Sequence, residues 1–512
     1  MDESRRHITE HVINGGFPYS KKLSAHTSCV DALAFSGDGR WLASAGDDPH
    51  IFLWDFHQDD LSQPSWRFSR SKANVFALAF SATNSYLYSG DTRNVILQFD
   101  ISTMSSPLSS YSTDAPDTSF HPHTDSIRSI SCHPEQDHIF LSAAEDGRII
   151  MHDCRADSRL TLAQSTLQHD AEFTGVQYHP TMAHIFATSD NRGEVCLRDT
   201  RMAFGPSSQR SRKGIVQTYV TTLSKRSVSH LSNPEVSSLA FDHKGMSHIS
   251  ITGRISPMEK ETSCPSQCLI IFQPYMRSMT LTRLLYVADI IYRVAQLYLK
   301  ESVRTQIAHG SFGGFGLDDD DYYTAGSDDF RAYVWKIPKM ADLMESREVV
   351  DADEWTDAGN QNTIAFASAL SQPRYIPMEL PTPLCRMTGH ESIVNTSLIH
   401  PHYPYIVTAG IERDIVPPYP TSSSPCAQSL SLTPQDVRAL PVTDPNYNTI
   451  FMEAMGLTSH TEDGNDSSTI ALFDEILRQE GEVDVFTFRQ WTPKDDPESS
   501  DMEEDTTSGR PP

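Results

Sequence analysis

The sequence predicts an all-β fold, a closed ring of seven small antiparallel sheets forming a β-propeller. A segment of about thirty residues recurs along the chain, apolar and polar residues alternate within it, and Gly, Asp, Asn and Ser punctuate it at matching places. Alternation with period two marks half-buried strands, and strands this short bury little alone, so the copies must stack on one another.

The copy that defines the pattern runs from His26 to Asp55, HTSCVDALAFSGDGRWLASAGDDPHIFLWD, and reads as three strands joined by two turns. Three more copies end at Asp100 (VFALAFSATNSYLYSGDTRNVILQFD), Asp153 (IRSISCHPEQDHIFLSAAEDGRIIMHD) and Asp199 (FTGVQYHPTMAHIFATSDNRGEVCLRD). NPEVSSLAFDHKG from Asn233 opens like a fifth, YYTAGSDDFRAYVWKIP from Tyr322 to Pro338 closes like a sixth, and the stretch from Gly389 to Ile415 reads as a seventh. A ring leaves no open sheet edge only if the last sheet borrows a strand from near the N-terminus, and Val12 to Leu23 is the candidate.

Domain boundaries follow: a flexible N-terminus over 1–11, the ring over 12–415, and a Pro/Ser-rich linker with an acidic, mostly disordered tail over 416–512. A short apolar helix is expected within that last region at Ile470 to Leu477. The repeat disappears over 246–308, where Leu281, Leu284, Leu285, Ala288, Ile291, Ala295 and Leu299 have helical spacing. Arg283, Asp289 and Arg293 interrupt them, which argues against a membrane span. This stretch is expected to be an irregular or helical insertion in the fifth sheet; the alternative is a mispredicted or retained coding segment.

Composition narrows the function. A net charge of -26 repels a phosphate backbone, so nucleic acid is not an expected partner and basic protein segments are. Eight cysteines lack any paired C-x-x-C, which predicts reduced thiols rather than a zinc site. The opening Met1-Asp2-Glu3-Ser4-Arg5-Arg6-His7 carries no apolar core of signal-peptide type, which points to nucleus and/or cytoplasm. No G-x-S-x-G, H-E-x-x-H or P-loop occurs, and Gly310 to Gly316 (GSFGGFG) lacks the lysine that phosphate cradling needs. The run Asp318-Asp319-Asp320-Asp321 lacks the spacing of a calcium loop. The chain is therefore expected to be no enzyme, with no cofactor, metal or small-molecule substrate. His133, His179 and His400 each precede a proline and are assigned to turns.

On these repeats the chain resembles the WD-repeat proteins. That resemblance implies a structural hydrogen-bonded set joining a leading His, a Ser or Thr, a turn Asp and a Trp, because a thin four-stranded blade must satisfy its own buried polar groups. The matching residues are His26, Ser44, Asp48 and Trp54 in the first repeat and His123, Ser142 and Asp146 in the third, where His152 replaces Trp. Asp329 and Trp335 match in the sixth, while the fourth has Arg192 where the turn Asp is expected.

Two adjacent repeats end His152-Asp153-Cys154-Arg155 and Arg198-Asp199-Thr200-Arg201. These W-D-x-R-like endings, with HGSFGG at His309 to Gly314 and TAGIER at Thr408 to Arg413, resemble the damaged-DNA-binding-protein and cullin-4-associated factors, substrate receptors of cullin-RING ubiquitin ligases. The likeness spans about Val12 to Ile415 apart from the irregular stretch. It implies that Asp153, Arg155, Asp199 and Arg201 dock the ligase adaptor while an unidentified protein substrate is held elsewhere. The second reading is a general WD-repeat scaffold, or a propeller that binds histone-type basic peptides, without a ligase role.

Overall fold

The computed structural model describes residues 2–69, 73–102, 118–155, 163–206, 210–245, 248–255, 266–272, 294–299, 309–355, 360–361, 363–380, 382–424, 427, 430–439, 469–471, 473, 474 and 477. Four sheets follow one another along the chain, each an antiparallel meander of four strands. The first comprises Val30–Phe35, Trp41–Gly46, His50–Asp55 and Trp66–Ser69; the second Val75–Phe80, Tyr86–Asp91, Ile96–Asp100 and Thr118–Phe120. The third comprises Ile127–Cys132, Ile139–Ala144, Arg148–Asp153 and Thr166–Gln168; the fourth Phe173–Tyr178, Ile185–Asp190, Val195–Asp199 and Ile215–Tyr219.

Further sheets are headed by Val236–Phe241, by Ser311–Gly313 with Tyr322–Gly326, Ala332–Lys336 and Cys385–Met387, and by Val394–Ile399 with Ile406–Gly410 and Glu412–Val416. The leading strands pack in succession, Val30–Phe35 against Val75–Phe80 and so on round to Val394–Ile399, which returns to Val30–Phe35. The molecule is therefore a closed all-β propeller. Second strands are sandwiched between neighbouring sheets, which is why Trp41–Gly46 and Ile185–Asp190 are buried along their whole length.

Two side chains fasten the seam between the last sheet and the first. Asn395 Nδ2 donates to Asp31 Oδ1 at 2.8 Å, and His400 Nε2 donates to the Gly39 carbonyl at 2.8 Å. The last sheet takes its fourth strand from Leu23–Ser24, with Leu23 opposite Ile415 and Ser24 opposite Asp414. The closing strand is thus the end of the stretch expected to supply it, and not Val12 to Leu23 as a whole.

The N-terminus departs from expectation. Residues expected to be flexible over 1–11 belong to the helix Asp2–Asn14. No Gly or Pro interrupts this run, and Gly15 and Gly16 end it, with Gly16 at φ 76° and its N–H bonded to the Ile13 carbonyl at 2.9 Å. Ile13 is fully buried and packs with Phe17, Phe315 and Met387, so few apolar residues suffice to hold the helix on the ring.

Three more features correct the expectations. Strands His248–Ile255, Ser266–Phe272 and Val294–Leu299 occupy parts of 246–308 and pair antiparallel behind Val236–Phe241. Residues 294–299, read from sequence as the end of a helix, are a strand, because pairing with Ser266–Phe272 supplies partners that periodicity alone does not register. The remainder of that proposed helix, 281–293, lies outside the described residues. The region after 415 begins as structure, since Pro418–Tyr419 and Ser431–Leu432 flank Tyr19–Ser20 in a small sheet. The expected tail over 440–468 and 478–512 lies outside the described residues.

Between the last two strands of the sheet headed by Ser311–Gly313, an insertion contributes helix Met340–Glu345 and strands Glu348–Val350, Ile364–Phe366 and Arg374–Ile376. The strands complete a separate sheet with Leu223–Lys225 and Leu231–Ser232.

Gly46, Gly326 and Gly410 each end a second strand hard against the backbone at the start of a leading strand, that of their own sheet for Gly46 and Gly410 and that of the following sheet for Gly326. A Cβ would overlap the carbonyl oxygen of Cys29, Val394 or Ile393 respectively. Because the obstacle is backbone rather than a mobile side chain, Gly46→Ala is expected to destabilise the fold by about 1–3 kcal/mol. Urea unfolding would measure this, and an unchanged midpoint would contradict the tight approach.

Candidate functional site

The described polar networks at the ends of the sheets explain which residues hold the blades and which they display. In the first sheet, Trp54 Nε1 donates to Ser44 Oγ at 3.0 Å, Ser44 Oγ lies 2.8 Å from His26 Nε2, and His26 Nδ1 lies 3.0 Å from Asp48 Oδ2. For a neutral imidazole the only consistent assignment passes donation from Trp54 through Ser44 and His26 to Asp48. Burial disfavours the ionised Asp48, but bonds from His26 and from the Thr27 and His50 amides outweigh it and hold the carboxyl below its usual range.

The third sheet repeats this set with His123, Asp146 and Ser142, at 3.1 Å and 2.7 Å, and Ser142 Oγ lies 2.8 Å from His152 Nε2. His152 sits opposite Phe140 as Trp54 sits opposite Leu42, so imidazole replaces indole at the same register. Burial pushes the His152 pKa down to about 3, keeping it neutral. In the fourth sheet the position is filled by buried Arg198, whose Nε donates to Thr188 Oγ1 at 3.0 Å and Nη1 to the Lys213 carbonyl at 2.9 Å. The turn carboxylate there is Asp190, two residues before the place read from sequence, and it accepts the Arg192 and Glu194 amides at 3.0 and 2.8 Å.

Asp329 and Trp335 do not join such a set. Asp329 binds Arg331 Nη1 at 2.9 Å and the Tyr333 hydroxyl, while Trp335 Nε1 has no hydrogen-bond partner among the described residues. Thr324, which stands where Ser44 does, donates instead to the Tyr333 carbonyl at 3.0 Å and bonds Ser397 at 2.6 Å. The last sheet carries a set headed by His390, read from sequence as the leading histidine of a repeat but without its partners: it bonds Glu412 through Nδ1 and lies 2.7 Å from Thr408 Oγ1 through Nε2. The signal for Glu412 was available, because it follows Gly410 by two residues as Asp48 follows Gly46.

At the opposite end of the strands, the first four sheets share one device. Asp55, Asp100, Asp153 and Asp199 each end a third strand and accept the amide of the residue two positions on, at 3.0, 2.9, 3.0 and 2.8 Å. The aspartates therefore shape the turn, and the displayed residues are His57, Ser102, Arg155 and Arg201. Arg155 grips Asp153 with Nε and Nη2 at 2.9 and 3.0 Å; Arg201 grips Asp199 with Nε at 3.0 Å and Nη2 at 2.6 Å. Their side chains are 57% and 63% exposed, so each is clamped at one edge yet open to solvent at the other.

The bond from Arg155 holds the Asp153 carboxyl below its ordinary range. In the first sheet, where His57 is no match, Arg40 reaches from the preceding turn to place Nη2 3.0 Å from Asp55 Oδ2. Arg40 is a third guanidinium of this rim and was not read from sequence, since the spacing that flags the other two is absent.

Among the described residues, His169, Asp190 and Glu194 bring ligand atoms within 4.8 Å of one another, but Asp190 Oδ1 is already committed to two amides, which fits turn stabilisation. No helix among the described residues is long and apolar enough to cross a membrane.

Comparison with known proteins agrees with this architecture. Residues 17–55 and 115–153 match the family described as WD domain, G-beta repeat. The chain is similar to DDB1- and CUL4-associated factor 5 of Mus musculus, 25% identical over 473 residues that make up 90% of this chain and 40% of that protein. The Homo sapiens protein of that name is 24% identical, with 90% and 41% covered. WD and tetratricopeptide repeats protein 1 of Homo sapiens is 29% identical over 161 residues, 31% of this chain and 22% of that protein. The chain thus spans about two fifths of the length of the factor 5 proteins it matches. Its repeats and its ring of meandering sheets make it a WD-repeat β-propeller protein that resembles the DDB1- and CUL4-associated factors.

Proposed function

We propose that this protein is a substrate receptor of a cullin-4-type ubiquitin ligase, working in the nucleus and/or cytoplasm as a non-catalytic platform. The observation that carries the reading is the pair of aspartate-clamped, solvent-facing arginines, Arg155 and Arg201, at the same strand end of adjacent sheets. A guanidinium already oriented by a carboxylate loses little freedom on binding and offers its remaining donors to carbonyls or carboxylates of an adaptor. Similarity to proteins named as DDB1- and CUL4-associated supports the same reading. The receptor contributes proximity and orientation, and ubiquitin transfer belongs to the other subunits.

The test is recovery of the ligase adaptor from cell extract by wild type and by Arg155→Ala with Arg201→Ala. Asp153 and Asp199 stay intact in that variant, so the turns keep their amide bonds. Loss of two central arginine contacts is expected to reduce recovery by roughly tenfold or more. Equal recovery by both proteins would retire the rim arginines as the docking element.

A second reading, a scaffold for basic peptides, is favoured by carboxylates at the other strand end. Burial, together with repulsion from nearby Glu172 and Glu145, raises the Glu235 carboxyl at that end, and a bound cation would relieve the repulsion. Adaptor recovery by neither protein would favour it.

A further inference from the structure

The face carrying the leading histidines, away from the arginine rim, is covered in part by the chain's own C-terminal segment. Cys29, Ile393 and Ile411 lie beside the turns that begin the first and last sheets, and Phe330 lies in the turn between Tyr322–Gly326 and Ala332–Lys336. These four buried residues form one apolar cluster with Leu477, and Phe473 and Val437 pack against it. Thr469, Ile470, Ala471, Phe473, Asp474 and Leu477 have helical backbone, so Phe473 and Leu477 stand one turn apart on one face.

An ion pair fixes the orientation. Arg438 donates from Nη1 and Nη2 to the two oxygens of Asp474 at 2.8 and 2.7 Å, in the fork-to-fork geometry of strong guanidinium–carboxylate pairs. Asp474 is 3% exposed. The same guanidinium lies 4.5 Å above the Phe330 ring and donates through Nε to the Glu391 carbonyl. Phe330 itself adopts φ 65°, a conformation costly for a bulky side chain and found where surrounding structure holds it for a purpose.

The seat is therefore specific: an apolar floor, a stacked arginine and a strained aromatic that together fit an aromatic residue, an acidic residue beside it and a leucine one turn on. Among the described residues the contact comprises two apolar side chains and one ion pair. Such a contact persists because its segment is tethered to the ring and so acts at an effective concentration on the order of 1 mM.

We propose that this groove is a docking site for an amphipathic helix of a partner protein carrying that same pattern, and that the segment around 469–477 fills it as a displaceable plug. Helix-in-groove recognition of this type reads anchors at one-turn spacing. A partner with these anchors and additional contacts outcompetes the plug, whereas weaker segments are excluded. The inference stands apart from adaptor docking, because the groove lies at the other end of the strands from Arg155 and Arg201.

The test uses the full chain and a fluorescent synthetic peptide of residues 466–482 as the probe. Wild type should bind it at least tenfold more weakly than the Phe473→Asp, Leu477→Asp double variant, whose own plug is disabled. Adding Arg438→Glu to the double variant should abolish binding, and a peptide carrying Asp474→Arg should restore it. Equal affinity of wild type and double variant, absence of binding to the double variant at millimolar peptide, or indifference to Arg438→Glu would each overturn the proposal. Arg155→Ala with Arg201→Ala should leave peptide binding unchanged, which separates this outcome from that of the adaptor experiment.

Discussion

Replacing Trp54 with alanine is expected to cost about 3–5 kcal/mol of folding stability, the range for deleting a large buried aromatic. Trp54 is fully buried and packs with Leu42, Phe52, Val407 and Ala409, so its cavity would open at the seam that closes the ring. The indole also starts the donation that runs through Ser44 and His26 to Asp48. Trp54→Phe separates the two contributions: it keeps most of the apolar volume and removes one donor, for a loss of about 1–2 kcal/mol.

Trp335 provides the control within the same molecule. It is 1% exposed, but its Nε1 has no partner among the described residues. Trp335→Phe should therefore cost less than Trp54→Phe in matched urea titrations. Equal losses at both positions would show that the hydrogen-bonded set adds nothing beyond packing.

Acidification below neutrality is expected to weaken the fold through histidines that burial keeps neutral. His400 is fully buried; Nε2 donates to the Gly39 carbonyl, and Nδ1 accepts the His402 and Tyr403 amides at 3.0 and 3.1 Å. With both nitrogens committed in the neutral form, burial pushes its pKa down to about 4. The unfolded chain, with a histidine pKa of about 6.5, binds a proton between those values that the folded chain refuses. Stability therefore falls as pH drops from about 6.5 toward 4, and at pH 5 this one residue accounts for about 2 kcal/mol.

His179 and His133 use Nδ1 to cap equivalent turns, and burial lowers their pKa in the same direction. Asp48 and Asp146 act lower, since depressed carboxyl pKa values give stability that is lost only as pH falls below about 4. Melting temperatures from pH 7 to 5 should decline, and His400→Asn, although less stable at pH 7, should flatten that decline. An unchanged slope in the variant would remove His400 from the account.

Much of this architecture was legible in local sequence. Alternation in VDALAF and VFALAF, broken by Ser-Gly-Asp-Gly or Ser-Ala-Thr-Asn turns, marks strands, because successive side chains of a strand point to opposite faces of the sheet. The two-residue spacing of Asp153 with Arg155 and of Asp199 with Arg201 was equally visible, since an aspartate ending a strand accepts the second amide beyond it.

Contacts across long separations were not legible. Nothing near Asp55 in the chain says that Arg40 will take its carboxylate. The helix Asp2–Asn14 gains its place from packing of Ile13 on Phe315 and Met387, and the strand Val294–Leu299 from pairing with Ser266–Phe272.

By itself the sequence determined the period of the strands, the turns that separate them and the short-range pairs at their ends, because these depend on residues a few positions apart. Only the tertiary structure decided which distant side chain meets each buried polar group and what covers each face, because a closed ring brings Asn395 to Asp31 and Asp474 to Arg438 through space rather than along the chain.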